Sequence, residues 1–313
     1  YRVIDFMLSN LVNAGVTDVG VVVEEGYRSL LDHLGSGKDW DLSRREGGLR
    51  LLPPYACTQK GGSLPGGRPR GTMEALHGVY GYLSAIRQDY VLLAAGDVAV
   101  NLNLGAVFRQ HLDTGADGWV RGAADRREEG LESLDIYILS KELLLALVRR
   151  AAAGGSCDLA GAILNELGPR GRVRPWVFDG YCAKLRSAAA YFAHSMELLD
   201  PAVRRALFDP RRPIRTRDRS TPATYYAPGA RCRDSLVADG CIIEGTVEHS
   251  VLFRGVRVEK DAVVQNAVLM QGTAVGCGGR VKNVVADKYV TVGPGSLLYG
   301  HERYPLVIEK NAV

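Results

Sequence analysis

Asp97 ends the apolar run Tyr90-Val91-Leu92-Leu93-Ala94-Ala95, after a single glycine, Gly96. A carboxylate placed there stands where an open α/β sheet collects its ligands, at the carboxyl end of a strand. A carboxylate in that place could take part in binding a ligand, although a turn aspartate accounts for the same residue. Lys184, in Phe178-Asp179-Gly180-Tyr181-Cys182-Ala183-Lys184-Leu185-Arg186-Ser187, carries an ammonium, which offers no oxygen donor. Arg70-Gly71-Thr72-Met73-Glu74 reads as a helix start with Thr72 as N-cap. Arginines crowd one short region at 204, 205, 211, 212, 215, 217 and 219. Guanidinium forks suit phosphate, so Arg211, Arg212 and Arg215 are candidate contacts for phosphorylated effectors. A solvated inter-domain connector explains the same charge run. Nucleic acid is a weaker reading, since no aromatic residues are interleaved with the charge.

The elements that must position these groups are set first by size and composition. A chain of 313 residues is long enough for two domains. Its 46% hydrophobic and 24% charged residues are ordinary for a globular protein, and its apolar runs are too short to span a bilayer. Net charge is +4. No secretory apolar region opens the sequence. The cysteines at 57, 157, 182, 232, 241 and 277 form no CxxC pair and no zinc spacing. Scattered free thiols fit a reducing cytoplasm.

From Tyr1 to about residue 208, helical periodicity alternates with buried strand patterns. Helices are expected over Phe6–Ala14, Tyr27–Leu34, Thr72–Ile86, Leu104–Thr114 and Lys141–Ala153, and strands over Val19–Val23 and Tyr90–Ala95. That alternation predicts a doubly wound, Rossmann-like α/β domain. Residues 209–231 hold prolines at 210, 213, 222 and 228 among the arginines and read as a linker. From residue 232 to 313 branched aliphatics recur at sixes: Leu252, Val258, Val264 and Met270 form one file, Val275 and Val281 another. Hexapeptide periodicity is the mark of a parallel β-helix, whereas a β-sandwich would alternate at period two. Coils of this type are commonly left-handed, against the usual crossover rule.

Tyr1-Arg2-Val3-Ile4-Asp5-Phe6-Met7-Leu8-Ser9-Asn10 resembles the RxIDFxLSN element of the glucose-1-phosphate adenylyltransferases (ADP-glucose pyrophosphorylases). So do His33-Leu34-Gly35-Ser36-Gly37 with Trp40, Arg70-Gly71-Thr72-Met73-Glu74-Ala75-Leu76 and Leu93-Ala94-Ala95-Gly96-Asp97. In the β-helix, Ile243-Glu244-Gly245-Thr246-Val247-Glu248-His249-Ser250-Val251-Leu252-Phe253 and Pro305-Leu306-Val307-Ile308 are similar as well. The resemblance covers essentially the whole chain and looks closest to a regulatory-type bacterial subunit. Ser133-Leu134-Asp135-Ile136-Tyr137-Ile138-Leu139-Ser140-Lys141 carries that closeness, because catalytic members favour glycine where Asp135 stands.

The resemblance implies a reaction, ATP plus glucose 1-phosphate to ADP-glucose and pyrophosphate in glycogen synthesis, with Mg²⁺ neutralising phosphate charge. It implies that Asp97 matches the first metal carboxylate and that Gly71, Thr72, Glu74 and Gly96 match nucleotide contacts. Ser133 and Asp135 fall at the sugar-binding segment. Lys184 takes the place of the second metal carboxylate, and is expected to pair with Asp97 in the space of the cation; a shifted match would make Asp179 the ligand. No Gly-x-Gly-x-Arg-Leu loop, first strand or Glu-Lys-Pro segment occurs in this sequence, and the span Ala116–Gly130 is short for the strands expected there. The expectation is a chain with little catalysis of its own that assembles with a catalytic homologue as a heterotetramer. Two alternatives are kept: an active adenylyltransferase, and a hexapeptide acyltransferase using His249.

Overall fold

The computed structural model describes residues 1–23, 27–53, 71–115, 117–122, 132–154, 158–167 and 173–313. Arg70, Cys57, Cys157 and most of the 116–130 span lie outside the described residues. The chain divides into two compact units. One comprises Tyr1–Cys182 and Phe208–Arg217; the other comprises Ala183–Leu207 and Asp218–Val313. Residues 183–207, expected with the N-terminal domain, thus cluster with the β-helix, and part of the expected linker clusters with the N-terminal unit.

Helices and strands alternate along the first unit: α1 (Val3–Asn13), β1 (Asp18–Val22), α2 (Arg28–Leu34), β2 (Gly48–Leu52), α3 (Thr72–Gly78), α4 (Tyr80–Ala85), β3 (Tyr90–Ala94), β4 (Val98–Val100), α5 (Leu104–Thr114), β5 (Asp117–Gly122), β6 (Glu132–Ser140), α6 (Lys141–Gly154), α7 (Leu159–Leu167) and β7 (Val173–Phe178). The alternation reflects period: α5 buries Leu104, Val107 and His111 at helical spacing, is capped by the Asn103 side chain, and stops at Gly115 in the left-handed conformation. α1 likewise ends before Gly15, whose φ is +83°. β1 and β2 pair in parallel, and β2 is a strand that periodicity had not indicated.

A four-stranded sheet runs in the order β3-β6-β5-β7. β5 and β7 are parallel, while β6 runs antiparallel to both β3 and β5. The sheet is therefore mixed within an α/β, Rossmann-like unit. The single helix expected over Thr72–Ile86 is two, α3 and α4, broken where Gly78 precedes Val79 at φ −107° and ψ 17°. Glycine is the least stabilising residue for a helix interior other than proline, and the break falls beside it. Thr72 is not the N-cap; Gly71 is, and Thr72 is the first helical residue. Met7, Leu8, Leu11, Val98, Val100, Leu134, Ile136 and Cys182 share one buried core.

In the second unit, β8 (Cys182–Lys184, which begins in the first), α8 (Ala188–Glu197) and α9 (Pro201–Leu207) precede a parallel β-helix. Its turns run from Arg231 to Thr246, to Val263, to Arg280, to Leu297, spacings of 15 and then 17 residues. Ile243, Val247, Leu252, Val258, Val264, Leu269, Val275 and Val281 fill the interior. The file of sixes holds for Leu252, Val258 and Val264. It then shortens by one residue, so that Leu269 points inward and Met270 packs on the outside. Gly245 is required by crowding: a Cβ there would lie 2.3 Å from the Ala262 carbonyl oxygen. α8 covers the outer face, where Phe192 packs on Val251, Val268 and Val285.

Residues at one corner of the coil, Asp234, His249, Asn266 and Asn283, all have φ between +43° and +54°. They occupy one column and bond along it. His249 Nδ1 lies 2.5 Å from Asp234 Oδ2; Asn266 Nδ2 donates to Asn283 Oδ1 at 2.5 Å; Asn283 Nδ2 donates to the Gly300 carbonyl at 3.0 Å. Asn and Asp tolerate this backbone because their short polar side chains bond locally.

Candidate functional site

β3 delivers Ala95, exposed Gly96 and half-buried Asp97 to the end of the four-stranded sheet. Antiparallel pairing aligns Ala94 with Ile136, and one further bond, from Ala95 N–H to the Asp135 carbonyl at 3.0 Å, places Asp135 beside the approach to Asp97. Asp135 has φ +52°, a left-handed backbone that glycine adopts freely and aspartate tolerates. The glycine attributed by resemblance to catalytic members suits that geometry.

Alternate residues of a strand share a face, so Ser133, Asp135 and Tyr137 of β6 form a cluster. Asp135 Oδ1 accepts from the Ser133 hydroxyl and from the Tyr137 hydroxyl, each at 3.2 Å, and Ser133 Oγ accepts the Asp135 N–H at 3.1 Å. Burial, more than the neighbouring Asp135 charge, pushes the Tyr137 phenol up to about 12. Tyr137 therefore remains a donor at neutral pH. A carboxylate flanked by hydroxyls suits recognition of a polyol. Tyr137 was not among the residues singled out from the sequence, although its period-two spacing from Ser133 and Asp135 was visible.

Gly71, Thr72 and Glu74 open α3. Thr72 is exposed and Glu74 half-buried, while the intervening Met73 is fixed in the core that includes Tyr137, Leu139 and Leu144. The nucleotide-matching turn and the sugar-matching strand are thus braced by one cluster. Lys184 is 6% exposed and lies in the second unit, on β8. Asp179, the alternative ligand, is exposed. Among the described residues no group of three or more His, Cys, Asp or Glu side chains could hold a metal ion. Asp97 offers oxygen donors suited to a hard cation, whereas the Lys184 ammonium offers none.

The candidate effector arginines lie on the strap 208–217, where the Arg211 side chain is exposed while Arg212 and Arg215 are half-buried. Arg211 forms a two-pronged contact with Asp209, Nε to Oδ1 at 3.1 Å and Nη2 to Oδ2 at 2.9 Å, and these bonds hold the Asp209 carboxyl down to about 2. Arg212 donates from Nε to Asn101 Oδ1 at 3.0 Å. Arg215 is bound through its backbone, its N–H donating to Ser9 Oγ at 2.8 Å. Two buried polar residues of the RxIDFxLSN element, Asp5 and Ser9, fasten the strap through Thr216 and Arg215. His249 serves in the corner column of the β-helix, and Cys182, Cys232, Cys241 and Cys277 form no disulfide.

Residues 225–302 match the family profile described as GlmU-like, C-terminal hexapeptide, which makes this a left-handed β-helix of the hexapeptide class. Over all 313 residues the chain is 34% identical to the glycogen biosynthesis protein GlgD of Bacillus subtilis (strain 168), spanning 88% of that protein. It is 36% identical to GlgD of Geobacillus stearothermophilus over 84% of this chain and 74% of the relative. It is 33% identical to the glucose-1-phosphate adenylyltransferase of the same organism, over 85% of this chain and 75% of the relative. The chain belongs to the glucose-1-phosphate adenylyltransferase family. Like its relatives over the matched length, it combines an α/β unit with a hexapeptide β-helix. No helix among the described residues is long and apolar enough to cross a membrane.

Proposed function

We propose that this chain is a regulatory-type subunit of glucose-1-phosphate adenylyltransferase in glycogen biosynthesis, with little or no catalysis of its own. Lys184 carries the reading. It is buried, and it stands at the position that the resemblance matches to the second metal carboxylate. Bound Mg²⁺ would neutralise phosphate charge in the family's reaction. With one carboxylate and an ammonium where another carboxylate is needed, that chemistry lacks its support. The fold does not depend on it, because activity resides in the site and not in the scaffold.

What this chain retains is recognition. The hydroxyl-lined carboxylate of Asp135, with Ser133 and Tyr137, is suited to sugar hydroxyls, and Gly71, Thr72, Glu74 and Gly96 would face nucleotide. A subunit that binds without turning over can still shift a partner's conformational equilibrium by differential affinity. In this reading it works in the cytoplasm in a heterotetramer with a catalytic homologue, and Arg211, Arg212 and Arg215 contact phosphorylated effectors. The relatives bearing the glycogen biosynthesis name favour this reading over the acyltransferase and the independently active enzyme.

The test is pyrophosphate release from ATP and glucose 1-phosphate by the chain alone and mixed with a catalytic homologue. The expected result is negligible release alone and a several-fold gain on mixing. Robust release by the chain alone would overturn the proposal. Lys184→Asp should raise turnover measurably, since charge stabilisation supplies much of the rate in phosphoryl transfer. No gain in either setting would remove Lys184 as the reason for inactivity.

A further inference from the structure

Four side chains of the first unit hold the strap 208–217 on its own surface. Asp5, fully buried, accepts from Thr216 Oγ1 at 2.6 Å and from the Arg2 N–H at 2.7 Å, and its second oxygen lies 2.6 Å from His33 Nε2. One turn on, Ser9 Oγ takes the Arg215 N–H at 2.8 Å. Asn13 Nδ2 donates to the Pro213 carbonyl at 3.2 Å. Asn101, just beyond β4, makes a reciprocal pair with Arg212: its Nδ2 donates to the Arg212 carbonyl at 2.9 Å, and its Oδ1 accepts from the Arg212 Nε at 3.0 Å.

The residues on either side of Asn101 return to α1. Asn10, 1% exposed, donates from Nδ2 to the Val100 carbonyl at 2.8 Å and accepts the Leu102 N–H at 3.1 Å. Hydrogen bonds thus run from α1 to the strap, from the strap to Asn101, and from the residues flanking Asn101 back to α1. The circuit is closed. It contains β4, whose first residue directly follows Asp97.

We infer that the strap is a clasp, and that Thr216, Ser9 and Asn101 are positioning residues that hold β4, and through it Asp97, in register. Resting on Asp97 as a ligand-facing group, the inference gives the buried polar stripe of α1 a task beyond packing. In a closed circuit, loss of one fastener lets the others open more easily, so its members unfold as one local unit. Arg212, fastened by both its backbone and its side chain, lies at the junction of strap and site strand. Whatever displaces the strap displaces β4.

Backbone hydrogen exchange on the full chain tests this without any ligand, so its outcome is independent of the pyrophosphate assay. Thr216→Val removes one hydroxyl and keeps the shape. Exchange at Val98–Leu102 should quicken by about tenfold, the effect expected when a buried carboxylate loses a donor, while β3 amides (Tyr90–Ala94) keep their wild-type rates. Thr216→Ser, which restores the hydroxyl, should restore protection at Val98–Leu102. Faster exchange confined to 215–217, or none, would show that the strap does not hold β4. An equal rise across β3 would mean general loosening and would also overturn the clasp, as would a Thr216→Ser variant exchanging as fast as Thr216→Val.

Discussion

Tyr137 illustrates how one residue ties the site to the fold. Its ring belongs to the core with Met73 and Leu144, while its hydroxyl donates to Asp135. Burial raises the phenol from its ordinary value near 10 to about 12. A raised folded value means that the native state holds the proton more tightly than the unfolded chain does. This contribution is therefore intact below pH 10 and is lost as pH climbs toward 12. Tyr137→Phe should flatten the fall in stability over that window, read as urea midpoints at successive pH values; an unchanged slope would assign it to other groups, of which Tyr82, also raised to about 12, is the first candidate. The residue scale was the least legible in the sequence. Asp97 stood out by its place after a strand, Ser133 and Asp135 entered through the resemblance, and Tyr137 was named only as part of the matched segment Ser133–Lys141. The strap arginines drew attention by charge, yet the strap is fastened largely through backbone groups and by the polar stripe of α1. Asp5, Ser9 and Asn10 are buried at helical spacing within an otherwise apolar helix, a pattern that implies buried partners.

Elements with strong boundary signals were read well, and those without them were not. α5 runs from Leu104 to Thr114 as the periodicity indicated, and Asn103 and Gly115 mark its ends. β2 was missed because the four residues Leu49–Leu52, set between two glycines and a proline, offer neither a sustained alternation nor a long apolar run. The β-helix was legible from its sixes, but turns of 15 and 17 residues fall short of three full hexapeptides, which is why Met270 left the inward file. The corner column supplies a prediction at this scale. Asn283→Gly keeps the left-handed backbone and loses the side-chain bonds; Asn283→Ala loses the bonds and adds strain at φ +54°. Thermal midpoints should fall in the order wild type, glycine, alanine, with alanine costing about 1–3 kcal/mol. If alanine were as stable as glycine, backbone conformation would not be what selects asparagine at this corner.

At the scale of the whole molecule, the expected division at 208/209 treats the chain as beads in order, whereas the compact units interleave along it. Periodicity reports local structure and carries no information about which unit a helix joins, so α8 could not be assigned from its pattern. Its apolar face packs on the β-helix, and Phe192 is the centre of that contact. Phe192→Ala should cost about 3–5 kcal/mol by removing a buried ring, seen as a lowered urea midpoint for the β-helix unit. A change below 1 kcal/mol would show that α8 contributes little to that unit.

The order in which the chain visits its units bears on inheritance. It leaves the first after Cys182, returns at Phe208 and leaves again after Arg217. A single genetic crossover anywhere between those points would join a β-helix to a foreign covering helix, or an α/β unit to a foreign strap. Exchanging one unit whole takes three junctions, and three simultaneous crossovers are improbable. A gene encoding such an interleaved chain is consequently a poor subject for shuffling, and single replacements that leave the scaffold standing are its easier route of change.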